Sequence, residues 1–289
     1  MIITNNTNLP EPVFQALTRS DYSRGKSNRS VTQLIDSPRV RILRKEHDAD
    51  ITEDASDMVW SVLGTAVHKM FEDTDVDGHL AEERLYAEFE NWVISGAIDV
   101  QRRESDGSIA ILDYKCTSVW SVIHGKPEWE LQLNFYAWLV TESKDEVVSD
   151  IKVCAVLRDW QRKKADMDSS YPQAPIVLID IPVWDHWRQD AYVKDRVRLH
   201  QAAEFERLTG GKLPLCSDAE RWRKPPVFAR KKQGYKRAIK LYDTLEEAQS
   251  ACGSGEEVEV RQGSYVRCEG NWCRVAEFCD QWRDENAAT

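Results

Sequence analysis

The sequence predicts an α/β fold in which helices and strands alternate around one sheet, followed by a small C-terminal lobe that holds most of the cysteines. Three observations lead there. Apolar residues recur at helical spacing from Glu53 to Asp73 and again over 184–208. Two strand-like runs, 92–101 and 108–115, flank the turn residues Glu104-Ser105-Asp106-Gly107. The texture changes after Gly210-Gly211. With 289 residues, 42% hydrophobic and 30% charged, the chain can bury a sizeable core, and this composition excludes a disordered, collagenous or membrane-spanning protein. No apolar run reaches the ~18 to 20 residues of a bilayer span. Met1–Asn6 also lacks the basic start and apolar centre of a signal peptide, so an intracellular, cytoplasmic protein with no membrane partner is expected.

Residues 1–30 are polar and aperiodic and are expected to form a loose arm, and Ser30-Val31-Thr32-Gln33-Leu34 opens a helix-like stretch. In 53–73 the apolar positions Val59, Leu63, Val67, Met70 and Phe71 lie on one helical face, Thr52 is placed to cap, and His68 rides on the helix. Strands are expected at 85–89, 92–101 and 108–115, then a helix over 127–141, strands at 151–157 and 176–183, and a long helix over 184–208. The lobe should hold short strands near 227–230, 238–242 and 258–260 with a helix at 244–251. The domain plan is thus an arm (1–30), a core (31–209) and a lobe (210–289).

The sharpest chemical signal is in the hairpin. Asp99 and Asp113 are equidistant from residue 106, so a hairpin turning at Asp106-Gly107 sets the two carboxylates opposite each other. Like charges facing across a ladder destabilise it by roughly 0.2 to 1 kcal/mol, and by more when buried. A bound cation would remove that cost. Lys115, two residues beyond Asp113, points to the same face, and the set suits a hard cation such as Mg²⁺ or Mn²⁺. The bland alternative is a pair of strand-end acids with a neutralising lysine; the apolar run Ile109-Ala110-Ile111-Leu112 before Asp113 weighs against it. Gly64, one turn before His68, costs ~1 kcal/mol in a helix interior, which a close backbone approach would explain. Gln132 and Tyr136 share a helix face and could contact substrate or the Lys115 strand, or serve simply as rim and core. Glu83 and Glu88 are further acids upstream, with no more claim than any surface carboxylate.

The net charge of −10 argues against indiscriminate nucleic-acid binding, yet nine basic and no acidic residues fall between Arg221 and Lys240, with Trp222, Phe228 and Tyr235 among them. Such a tract fits either a phosphate backbone or a solvated face. Seven cysteines are too few for a disulfide scaffold. Cys268, Cys273 and Cys279 are closely spaced, and Cys216 is a distant fourth. Four thiolates suit Zn²⁺ or a [4Fe-4S] cluster, against the alternative of free thiols in a packed lobe. Cys154 reads as core, and Cys116 and Cys252 as incidental.

In order, Gly64-x-x-x-His68, Gly96-x-Ile98-Asp99, Asp113-Tyr114-Lys115 and Gln132-x-x-x-Tyr136 resemble the motifs of the RecB-type branch of the PD-(D/E)XK nuclease superfamily, over about residues 55–140. The phrases Ser30–Leu34, Leu157-Arg158-Asp159-Trp160 and Glu220-Arg221-Trp222 look like those of phage or prophage exonuclease-like proteins. The resemblance implies a restriction-endonuclease-like core, a mixed sheet flanked by helices. It makes His68, Asp99, Asp113 and the Tyr114 carbonyl metal ligands, Lys115 the group that activates water, and Gln132 and Tyr136 aids to substrate placement. The implied activity is a Mg²⁺- or Mn²⁺-dependent deoxyribonuclease, more an exonuclease than an endonuclease, acting in recombination or repair. DNA would be its substrate, with a recombination or annealing protein as partner and room for an oligomer. Family members with a [4Fe-4S] cluster place one cysteine before the core; this chain has Ser37-Pro38 there and no cysteine ahead of His68. The rival reading is a catalytically silent nucleic-acid-binding protein with a structural metal centre.

Overall fold

The computed structural model describes residues 1–19, 25–74, 76–270 and 272–287. In chain order the elements of the first half are β1 (Ile2–Thr4), α1 (Glu11–Thr18), β2 (Arg29–Ser30), α2 (Val31–Ile35), α3 (Pro38–Glu46), β3 (Thr52–Asp54), α4 (Val59–Glu72), β4 (His79–Phe89), β5 (Trp92–Arg103) and β6 (Ile109–Thr117). They continue with α5 (Val119–His124), α6 (Pro127–Lys144), β7 (Val148–Leu157), α7 (Arg162–Met167), β8 (Ile176–Asp180) and α8 (His186–Thr209). The last stretch holds β9 (Arg223–Lys224), β10 (Val227–Lys232), β11 (Ala238–Tyr242), α9 (Leu245–Ser250), β12 (Glu256–Arg261), β13 (Ser264–Tyr265), α10 (Val266–Glu269) and α11 (Asp280–Ala287).

The chain forms two compact units, one of residues 1–36 and 52–211, the other of 37–51 and 212–289. The first is mixed α/β. Its six-stranded sheet runs β2-β5-β6-β7-β8 with β4 on β5; β2/β5 and β6/β7 are parallel and the other pairings antiparallel. β4 follows β5 along nearly its whole length, so β2, at Ile94 and Ser95, and β6, from Val100 onward, share the opposite edge. α6 packs against the sheet and α8, and it buries an unbroken run from Leu133 to Val140. Helical periodicity vanishes there because the helix is covered nearly all round. Asn134, fully buried in that run, donates to the Glu130 and Pro182 carbonyls (3.0 Å each) and accepts the Trp184 N–H (2.8 Å), so no polar atom is left to destabilise the core. No helix among the described residues is long and apolar enough to cross a membrane.

Several expectations are corrected. The expected loose arm contains ordered structure: β1 pairs in parallel with β3, and α1 follows Pro10; its residues 20–24 lie outside the described set, as does Asn271 among the cysteines. Thr52 caps no helix, because it lies in β3; Asp54 instead caps the short turn before α4 by accepting the Ser56 N–H (3.1 Å). Residues 37–51, assigned by sequence to the core, belong to the second unit. The reason is Arg39, 1% exposed, which pairs with Asp280 and donates to the carbonyls of Leu213 (2.6 Å) and Pro214 (2.9 Å). His47 stacks on Phe278 with ring centroids 4.1 Å apart. The second unit also contains a β11-β10-β12 sheet and the small β13-β9 pair.

Candidate functional site

Two turns place the site. The β5–β6 turn, with Gly107 at φ +89°, sets Val100 opposite Leu112 and Gln101 opposite Ile111. One step further come Asp99 and Asp113, where the ladder stops and the Asp99 side chain itself accepts the Tyr114 N–H (2.7 Å). The β4–β5 turn has Glu90 and Asn91 both at positive φ, as a two-residue primed turn requires, and it sets Ala81 opposite Val100 and Glu83 opposite Ile98. Between those pairs Glu82, at φ +50°, stands opposite Asp99. Glu82, Asp99 and Asp113 therefore occupy one row across three strands.

His68 comes to this row from α4. Its Nδ1 lies 3.4 Å from Asp99 Oδ2, and ligand atoms of His68, Glu82 and Asp99 all lie within 4.8 Å of one another. Phe71, one turn on, packs on the Tyr114 ring (4.7 Å between centroids) and holds the helix to β6. Asp113 is 1% exposed, and Lys115 Nζ sits 2.6 Å from its Oδ2. The ammonium neutralises that oxygen although the contact is not aligned as a hydrogen bond. Burial pushes the Asp113 carboxyl up to about 6 despite the lysine, with Asp99 adding to the shift. Burial, then Asp99, also raises Glu82, and the hydrogen bond to Asp99 raises His68 against the opposing effect of burial. Two carboxylates and a histidine with ligand atoms within 4.8 Å of one another, and the buried Asp113 next in the row, form a donor set that fits a hard divalent cation.

The structure thus brings together His68, Asp99, Asp113, Tyr114 and Lys115. It adds Glu82, which the sequence reading missed; Glu83 instead pairs with Lys144 and accepts from Gln101 (2.7 Å), and Glu88 faces Val93 in the ladder. The symmetry argument that found Asp113 would have found Glu82 had it been applied to the Glu90-Asn91 turn as well. Gln132 and Tyr136 do share a face, but they are turned to each other (2.8 Å), and Tyr136 is buried beneath Gly96. A Cβ at Gly96 would lie 2.6 Å from the Tyr136 ring, so of Gly64 and Gly96 it is the latter that a close approach demands. Gly64, expected to fill that role, has open space where its side chain would be.

In the second unit Cys216, Cys268, Cys273 and Cys279 line one cavity with Arg39 and Arg221. Burial pushes the Cys216 thiol up to about 12, and its sulfur lies 3.1 Å from the Ser37 hydroxyl. Arg221 is bound through both outer nitrogens to Glu285, sits over Tyr265 (3.4 Å) and lines the cavity beside Cys268. The basic tract is partly consumed within its own unit. Arg221 pairs with Glu285, Arg223 with Asp218, Arg230 with Glu256, and Lys231 with Glu257 and Glu259. Lys224, Lys232, Lys236, Arg237 and Lys240 form no ion pair among the described residues.

No family model matches the chain, and no curated protein matches it in sequence. Among solved structures, the crystal structure of SSO0001 is similar at 17% identity and a TM-score of 0.43, over 65% of this chain and 82% of that one. A likeness that distant carries no argument about fold family or function.

Proposed function

We propose that the protein is a metal-dependent deoxyribonuclease of the RecB-type PD-(D/E)XK kind, with the first unit as its restriction-endonuclease-like core, acting on DNA ends as an exonuclease in recombination or repair. The observation that carries the reading is the row Glu82, Asp99, Asp113 with Lys115 beside it. Buried like charges in adjacent strands cost stability, and the row gains a purpose once a cation is shared among them. His68, Glu82, Asp99 and Asp113, with the Tyr114 carbonyl, would hold Mg²⁺ or Mn²⁺. Bound there, the ion would polarise a phosphodiester and lower the pKa of a coordinated water.

The chain's own groups supply the rest. Asp113 holds the Lys115 ammonium at 2.6 Å, which keeps a fixed positive charge beside the place where negative charge builds up on the phosphoryl oxygens. The Tyr114 N–H fixes Asp99, and Asp99 in turn orients the His68 ring through Nδ1. Asp113 must be ionised to serve, and burial raises its carboxyl, so protonation competes with the cation and metal binding should weaken as pH falls.

The thiol cavity is the second part of the proposal. Cys216, Cys268, Cys273 and Cys279 would ligate a [4Fe-4S] cluster. Tetrahedral Zn²⁺ with bonds of ~2.3 Å would draw the four sulfurs to within about 4 Å of one another. The preference for the cluster over Zn²⁺ rests on the family resemblance, and the four thiols lining one cavity suit either centre. Arg39 and Arg221 beside the cavity would offset the negative charge of a thiolate-bound centre.

The test uses end-labelled linear and closed circular DNA with Mg²⁺, Mn²⁺ or chelator. Wild-type protein should degrade the linear form with metal, whereas Asp113→Ala and Lys115→Ala, folded by circular dichroism, should not. Degradation by both variants at the wild-type rate would overturn the assignment.

A further inference from the structure

α4 is an apolar helix with no fully buried residue, although it carries a ligand of the cation row. Trp60 is 54% exposed on it, and the Arg158 guanidinium carbon sits over the indole at 4.5 Å from the ring centroid. A second exposed ring pair stands at α5: Trp120, 60% exposed, packs on His124 at 4.7 Å. The two pairs belong to one stretch of surface. The Arg158 N–H donates to the Thr117 carbonyl (3.0 Å), and the next residue, Asp159, accepts the Val119 N–H (2.7 Å), which ties the Arg158 segment to the start of α5.

This surface continues to the cation row. Trp60, Gly64 and His68 are spaced by four along α4 and so fall within one ~80° sector of the helix. Nothing lies within 4 Å of the Cβ position at Gly64, so the face between the indole and the histidine is open. The missing side chain that no packing contact explains leaves a track from Trp60 to His68. It also offers cations: Arg158 forms no ion pair among the described residues, and the same holds for Arg162, Lys163 and Lys164 at the start of α7.

Exposed flat rings, an unpaired guanidinium and nearby ammonium groups match the chemistry of unpaired bases on a phosphate chain. In a duplex the base faces are already stacked and cannot reach such rings. We propose that Trp60–Arg158 and Trp120–His124 form a stacking platform for single-stranded nucleic acid, which then passes over Gly64 to the cation row. The inference rests on the nuclease reading for what happens at the row, but binding on the platform requires no chemistry.

The experiment measures fluorescence anisotropy of a labelled oligothymidylate and of a labelled blunt duplex, both in chelator, where nothing is cleaved. Trp60→Ala and Trp120→Ala should each weaken single-strand binding by roughly 5- to 150-fold, the range that stacking of one base on one ring carries, and leave duplex binding nearly unchanged. Trp60→Phe, which keeps a ring, should recover most of the affinity and so excludes a folding defect. Single-strand affinity unchanged in the double Trp60→Ala/Trp120→Ala variant, or lost equally for both oligonucleotides, would overturn the platform. Wild-type protein that binds single strands through these rings but cleaves no nucleic acid with metal would retain the platform and remove the nuclease reading. Cleavage without ring-dependent binding would do the reverse.

Discussion

Replacing Asp113 by asparagine should make the metal-free protein more stable, although it removes a buried ion-pair partner. Burial holds the Asp113 carboxyl at about 6 in the fold, against an ordinary value of 3.8. A carboxyl raised in the folded state binds its proton more tightly there than in the unfolded chain. Its stabilising contribution is therefore complete below about pH 4 and is lost as pH rises through about 6. At pH 7 a difference of about two pK units corresponds to ~3 kcal/mol, at 1.36 kcal/mol per unit, by which the ionised group opposes folding. Asparagine cannot ionise, but its amide would be imperfectly hydrogen-bonded in that pocket at ~1 kcal/mol, which leaves a net gain of ~2 kcal/mol. Thermal unfolding in chelator at pH 7 should place Asp113→Asn about 4 to 8 °C above wild type, and the gap should close at pH 4. Mg²⁺ should raise the wild type and barely move the variant. An Asp113→Asn protein less stable than wild type in chelator at pH 7, or a gap that does not change with pH, would show that the carboxylate serves the fold and refute the argument.

Glu82→Gln should raise the Mg²⁺ concentration needed for half-maximal cleavage by about tenfold while rates at saturating metal change little, since one of several oxygen ligands loses its charge; a metal titration of both proteins checks this. Reversing Lys236, Arg237 and Lys240 to glutamate should flatten the log–log salt dependence of duplex binding by up to about 2.7, at 0.9 per phosphate contact, and an unchanged slope would assign those residues to a solvated face. Protein purified without oxygen should be brown and contain about four irons per chain, and Cys273→Ser should lose that iron together with thermal stability of the second unit. Colourless protein with one zinc would keep the thiol cavity and change the metal.

The hairpin from Trp92 to Thr117 was legible because its turn residues fix the register, and the register fixes which side chains face each other. The same logic was available for Glu82. It stayed hidden because Glu90-Asn91 lacks the glycine that marks most two-residue turns, and because acids scattered through 82–90 look like a solvated edge. The α6 and α8 helices were readable from length and apolar content, although their ends shifted by up to three residues. The place of residues 37–51 was not legible. Its causes are long-range: Arg39 meets carbonyls and a carboxylate more than 170 positions away, Ser37 meets Cys216 and His47 stacks on Phe278, and no local pattern in Ser37-Pro38-Arg39 signals them. The cysteine spacing pointed to a common cavity, but the two arginines that line it with the thiols came only from the folded chain.

The second unit draws its Arg39 helix from early in the chain and the remainder from its last third. During synthesis the 37–51 segment leaves the ribosome long before Leu213, Pro214 and Asp280 exist, and at ~5 to 20 residues per second it waits on the order of ten seconds or longer for them. Through that interval Arg39 stays hydrated and the segment lacks its core, whereas all the strands that carry the carboxylate row have already emerged. The thiol unit is therefore the last part of the molecule able to close. A fragment starting at Lys212 would lack the guanidinium that joins Asp280 to the 213–214 carbonyls, so the unit can be isolated only by a circular permutation or a fusion that restores residues 37–51.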